Sequence, residues 1–304
     1  MTRRSRSGLA LLSFLLPVIA SMGTAVHAQG VKLRNGPAIT IDSAGASLIA
    51  PQGVACGATL LAVADTGNGR FVLYDVGDRV YTPKTQFAVA ELGHPIEVQF
   101  DPAGNILALD GKSRRIGRVG IDGSFQAYVA VESGGGPTPV IRGFAVGKDG
   151  SLYVLDLAGG RVLVTSGEGK LVRQVALPAE CRAPSGVAVD ASGTIFISDA
   201  AGPRLYAAAK DQTAVRPITG SLRDDMDFAG ALATDGQGRV FVLDTHGGGI
   251  VAFGGDGSFR GRQAGHGWLD GQLRWPASLC IGDHGYLAVA DRENNRIATF
   301  LVAP

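Results

Sequence analysis

After residue 28 the chain has no segment with a sustained 3.6-residue apolar period, so it is not built from helices. That part also lacks an apolar run long enough to cross a bilayer, so no transmembrane domain is expected once a leader is removed. The motifs of several common chemistries are missing too. There is no Gly-x-Ser-x-Gly elbow, no Cys-x-x-Cys pair, no phosphate loop and no His-Glu-x-x-His helix. Gly134-Gly-Gly and Gly247-Gly-Gly have no strand-to-helix context and read as turns.

A basic excess is also lacking. Residues 1–28 carry Arg3, Arg4 and Arg6, an apolar run over 9–20, then small residues ending in Val26-His27-Ala28. This is the pattern of a secretory signal peptide cleaved after Ala28. Ser5-Arg6-Ser7-Gly8 lacks the apolar residue expected soon after a twin-arginine pair, which favours Sec-type export to the periplasm or medium; an uncleaved anchor is the alternative. Without those three arginines, 25 of the 28 basic residues face 27 acidic ones, a net charge of −2. That balance speaks against nucleic acid as a partner.

Cysteine is scarce, with only Cys56, Cys181 and Cys280, and an odd number cannot all pair within one chain. Counted from Pro51 and Pro276, Cys56 and Cys280 fall at offsets five and four, on opposite strand faces. The reading favoured here is buried free thiols, with a Cys56–Cys181 or Cys56–Cys280 disulfide as the alternative.

What the chain does have is a repeat. Short apolar runs end on an acid at Asp65, Asp110, Asp156, Asp199, Asp244 and Asp291, at steps of 45, 46, 43, 45 and 47 residues. Five positions later stand Arg70, Arg115, Arg161, Arg204 and Arg296, with Gly249 in the fifth copy. Turns such as Asp101-Pro-Ala-Gly and Asp190-Ala-Ser-Gly precede the acid, and 45 glycines suit many tight turns. A period near 45 with three or four short strands per copy predicts an all-β, six-bladed β-propeller over 29–304. Outer strands are expected near 86–92 in blade one and over 214–218 in blade four. Blade six supplies only three strands of its own, so a strand within 29–47 is expected to complete it and close the ring.

Pro184-Ser-Gly-Val-Ala-Val-Asp190 and Val289-Ala-Asp-Arg-Glu-Asn-Asn-Arg-Ile-Ala-Thr-Phe300 resemble the NHL repeat, with Gly265-His-Gly and Gly271-Gln-Leu-Arg-Trp-Pro276 as a matching lead-in. The resemblance implies the propeller and leaves function open, because this fold serves many purposes.

Six copies of an Asp–Arg pair imply a structural task, an Asp accepting turn N–H groups and an Arg pairing with it. Function is therefore sought where the repeats differ. Gln52, Glu97, Arg142, Ser185 and Ser278 stand where the chain enters a blade, around the channel mouth. Trp268, Trp275 and Phe228 could stack a sugar or peptide there, although packing between blades is the commoner role. His94, His246 and His266 fall on the same face, with His284 on the other. A triad of this kind is used by amidating lyases of NHL-like build, which would make zinc the metal. Calcium-dependent lactonase-type propellers carry a Glu-Gly-Pro motif that this chain lacks, and only Glu97 stands on an inner first strand. The expectation is a binding or scaffold module for an envelope or extracellular protein, peptide or glycan, with no cofactor. The alternative is a metal-dependent lyase or hydrolase using zinc or calcium.

Overall fold

In a computed structural model of the chain, residues 1, 30–78, 80–282 and 285–303 are described. The rest of the segment read as a signal peptide lies outside them, as does His284. Among the described residues no helix is long and apolar enough to cross a membrane.

Each repeat folds into one four-stranded antiparallel sheet, and six such sheets form a six-bladed β-propeller. Blade one comprises Gly53–Cys56, Leu60–Asp65, Arg70–Val76 and Tyr81–Phe87. Blade two comprises Pro95–Phe100, Ile106–Asp110, Ile116–Val119 and Phe125–Tyr128. Blade three comprises Ile141–Val146, Leu152–Asp156, Arg161–Thr165 and Leu171–Ala176. Blade four comprises Pro184–Val189, Ile195–Asp199, Arg204–Ala208 and the two-residue Arg216–Pro217. Blade five comprises Ala229–Thr234, Arg239–Asp244, Gly249–Gly254 and Phe259–Ala264. In blade six, Pro276–Ile281, Tyr286–Asp291 and Arg296–Ala303 are completed by Lys32–Asn35, antiparallel to the last of them. The N-terminal strand therefore closes the ring.

Two outer strands differ from expectation. In blade one the fourth strand is Tyr81–Phe87, not 86–92, because Ala90–Leu92 instead forms a short 3-10 turn. In blade four the ladder shrinks from 214–218 to Arg216–Pro217, because Ala214 and Val215 pair instead with Ala176 of blade three.

Second strands such as Leu152–Asp156 are buried at every position, because blades cover both of their faces. The apolar clusters lie between blades. Val54, Val63 and Tyr74 of blade one pack with Ala288, Ala290 and Ile297 of blade six. Ala55, Ala62 and Phe71, on blade one's other face, pack with Val98, Ile106 and Ala108 of blade two.

This geometry overturns the free-thiol reading: Cys56 and Cys280 form a disulfide, with Cα atoms 5.5 Å apart. The offset count was sound and its conclusion inverted. In a ring, the front of one blade meets the back of the next, so residues of opposite parity are the ones that face each other. Cys181 is the one free cysteine among the described residues, and it is buried.

The chain between the closing strand and blade one lies over the same seam. Ile39 bridges Ile297, Leu48 is fully buried, and Tyr74 Oη donates to Ile41 O at 2.8 Å. Asp42 accepts the N–H groups of Ala44 and Ala46 and pairs with Arg70 at 2.6 Å.

Candidate functional site at the channel mouth

The repeat aspartates hold up the site. Each ends a second strand and reaches back to the loop leading into its own blade, accepting a main-chain N–H from Ile49, His94, Val140, Ala183, Phe228 or Arg274. Arg70, Arg161 and Arg296 then pair through Nε at 2.7, 2.9 and 2.8 Å. Arg115 and Arg204 depart from the expected pairing. Asp110 accepts the N–H groups of His94, Lys112 and Ser113, and Asp199 those of Arg182, Ala183 and Ala201. Arg115 lies instead over the Tyr128 ring, 3.4 Å from its centroid. In blade five, where the repeat arginine is Gly249, Arg262 of the outer strand reaches Asp244 at 2.8 Å. A Cβ at Gly249 would stand 2.5 Å from the Arg262 Cζ, so the glycine makes room for the substitute. Burial resists ionisation of Asp110, yet the Ser113, His94 and Lys112 donors hold its carboxyl below the usual range.

Above this frame, first strands carry a bulge after their opening residue, which turns one extra side chain toward the axis. The bulge residue is Ile96, Arg142, Ser185 or Ala277, and Gln52 holds the matching place in blade one. One residue further on, paired with the residue before the repeat aspartate, stand Gly53, Glu97, Gly143, Gly186 and Ser278. In this ring Glu97 is the single ionisable side chain, and the glycines beside it give it space. A Cβ at Gly143 would lie 2.8 Å from its Oε2.

Gln52, Glu97, Arg142, Ser185 and Ser278 all line one cavity of about 200 Å³, together with Gln99, Thr245, Arg292, Phe228 and Trp275. Glu97 Oε1 accepts the Phe144 N–H at 3.2 Å. Burial in the channel wall pushes its carboxyl up to about 7, against the opposing pull of that N–H and of Arg142. Ser185 is committed elsewhere: it is buried, and its hydroxyl donates to Ala229 O in blade five. Its neighbour Ser198 donates to Gly230 O at 2.6 Å, so the two hydroxyls join blades four and five.

The histidines do not gather. His246 is sandwiched between Phe228 and Trp275, with ring centroids at 4.5 and 4.7 Å. His94 packs on Gly111, and His266 is exposed on the lead-in to blade six. Among the described residues no three His, Cys, Asp or Glu side chains stand together in a way that could hold a metal. Phe228 and Trp275 form one wall of the mouth, whereas Trp268 is 74% exposed on the same lead-in loop as His266.

Sequence reasoning missed Gln99 and Arg292. Gln99 lies two residues beyond Glu97 on one strand and so shares its side, and Arg292 directly follows a repeat aspartate at the rim. Both positions were legible from register alone.

The sequence matches no protein-family model and no curated protein. Among solved structures the fold is similar to virginiamycin B lyase from Staphylococcus aureus, at 12% identity and TM-score 0.59, over 90% of this chain and 100% of that one. It is similar to a gluconolactonase from Xanthomonas campestris, at 16% identity and TM-score 0.63, over 89% and 99%. The PQQ-bound aldose sugar dehydrogenase of Streptomyces coelicolor gives 16% and 0.64, over 91% and 99%. Identities this low show fold alone. The chain is thus a six-bladed β-propeller whose structural neighbours include lyases, gluconolactonases and a sugar dehydrogenase.

Proposed function

We propose that the chain is an exported, NHL-type propeller that binds a glycan at its channel mouth. One observation carries the reading: a lone carboxyl, Glu97, in a ring otherwise of glycine, alanine and serine, opens onto a cavity also lined by Gln52, Gln99, Arg142 and Arg292. Planar amide, carboxyl and guanidinium groups suit a vicinal diol, and Phe228 with Trp275 offers an aromatic wall for a sugar's C–H face. A disulfide persists in an oxidising compartment, which supports export to the periplasm or medium. The measurement is tryptophan fluorescence of a Trp268→Phe protein, leaving Trp275 as reporter, titrated with a panel of envelope oligosaccharides. At least one should give saturable quenching that Glu97→Gln weakens tenfold or more. No response across the panel, or equal affinity in Glu97→Gln, removes the proposal.

A second reading is favoured by the same carboxyl. A group that titrates near 7 can take and return a proton at neutral pH, as a general acid–base must. In that reading the chain is a hydrolase or lyase working through Glu97. His94, His246 and His266 have no shared centre on which a metal-dependent version could rest. Turnover of a bound oligosaccharide that Glu97→Gln abolishes while retaining binding would separate catalyst from binding module.

A further inference from the structure

A second and larger cavity, about 660 Å³, lies on the same face between blades three and four. Its walls are Leu157, Leu177, Pro178, Cys181, Ala183 and Ala201, and among the described residues Arg142 and Arg182 are the only charged ones lining it, with no carboxylate. It exists because the neighbouring turns are small. Ala200 and Ala201 open the second-to-third turn of blade four, and Gly160 ends that of blade three. Nothing lies within 4 Å of a Cβ built on Gly160. At the equivalent place in blades five and six, Phe228, His246 and Trp275 stack into the gap. The size is that of a small-molecule site.

Three facts define what would fill it. The wall is apolar, and its Leu157 is 42% exposed. Cys181 is buried, and burial, ahead of the nearby Asp199 and Glu180, pushes its thiol up to about 12, so it is a neutral part of the wall. Neither Arg142 nor Arg182 has a carboxylate partner among the described residues, and Arg142 stands where this cleft meets the mouth, lining both cavities. Arg142 acts on Glu97 of the mouth through its charge but forms no salt bridge with it, and a guanidinium so placed at one end of an apolar trough is matched by an anion carrying an apolar tail.

We propose that the cleft between blades three and four binds an amphipathic anion, an alkyl chain ending in a carboxylate or phosphate, with its charge on Arg142 and Arg182. The site does not depend on a glycan occupying the mouth, and its test uses different probes. Decanoate and decyl phosphate, below their micellar concentrations, are titrated calorimetrically into the mature protein, with decanol and acetate as tail-only and head-only controls. At least one of the two anions should bind with one-to-one stoichiometry, and both controls at least tenfold more weakly. Arg142→Gln should cost that anion about tenfold. Ala201→Phe, which fills the trough from an exposed turn, should remove binding. Ala179→Trp, on the opposite rim, is a second blocking variant should the first fold poorly. Retention of the Trp275 response to a mouth ligand in Ala201→Phe would show the two sites to be separate. The proposal is overturned by no saturable binding of either anion, by decanol binding as tightly as decanoate, or by folded blocking variants that bind unchanged. If the anion binds but no oligosaccharide does, the glycan reading fails and the cleft stands.

Discussion

Arg262 shows how the repeat survives the loss of one of its parts. Blade five has no arginine at the usual place, yet its aspartate still receives a guanidinium, brought from the outer strand through the space that Gly249 leaves. Removing one partner of a buried pair strands the other, so Arg161→Ala should cost about 3 kcal/mol. Arg262, more exposed, should cost about 1–2 kcal/mol on the same change. Urea unfolding of both variants checks this, and an Arg262→Ala protein as stable as wild type would refute the substitution. Glu97 makes a prediction of opposite character. Its carboxyl titrates near 7 when folded, against 4.5 ordinarily. Between those values the folded state holds a proton that the unfolded chain has released, so the contribution is whole below about 4.5 and lost as pH rises through 7. Glu97→Gln should therefore match wild type near pH 4 and exceed it near pH 8, by up to about 3 kcal/mol. Urea midpoints at the two pH values decide it, and a gap that does not change with pH rejects the assignment. The aspartates and Glu97 were legible in the sequence because repetition and its breach are both visible there. The partner of Asp244 was not, since Arg262 sits 18 residues away on a strand whose register only the fold determines.

At the scale of the element, the closing strand Lys32–Asn35 contributes a full edge to blade six, pairing Asn35 with Phe300 and Lys32 with Ala303. Deleting residues 29–45 exposes the edge of Arg296–Ala303 and also removes Ile39 and Asp42 from the seam. The melting temperature followed by circular dichroism should fall by 10 °C or more and the protein should self-associate, because an unpaired edge strand recruits another. An unchanged transition would sink the closure. The strand could be expected without any motif of its own, simply because a ring of six fours was one strand short. Outer strands elsewhere were read less well. Their exposed faces carry little apolar alternation, so nothing in residues 81–92 distinguished strand from turn.

For the whole molecule, first and last blades are joined in two independent ways, by the closing strand and by Cys56–Cys280, which are 224 residues apart. That the disulfide was misread is a lesson in scale: strand parity is a property of one sheet, whereas contact is a property of two sheets meeting face to back. The channel mouth was legible for the complementary reason, that departures from six-fold sameness at the blade entries, Gln52, Glu97, Arg142 and Ser278, gather around one cavity, whereas Ser185 is tied into blade five. The cleft between blades three and four was not legible, because small side chains leave no mark in a pattern of apolar residues. One consequence lies in how the aspartates grip the loops. They take hold of main-chain amides and ignore side chains at residues 49, 94, 140, 183, 228 and 274. At those positions the clasp tolerates any amino acid except proline, which has no amide hydrogen to offer. The rim of this propeller can thus exchange its vocabulary while its grammar stays fixed, and a new recognition surface costs the ring nothing as long as each loop keeps one free N–H in place.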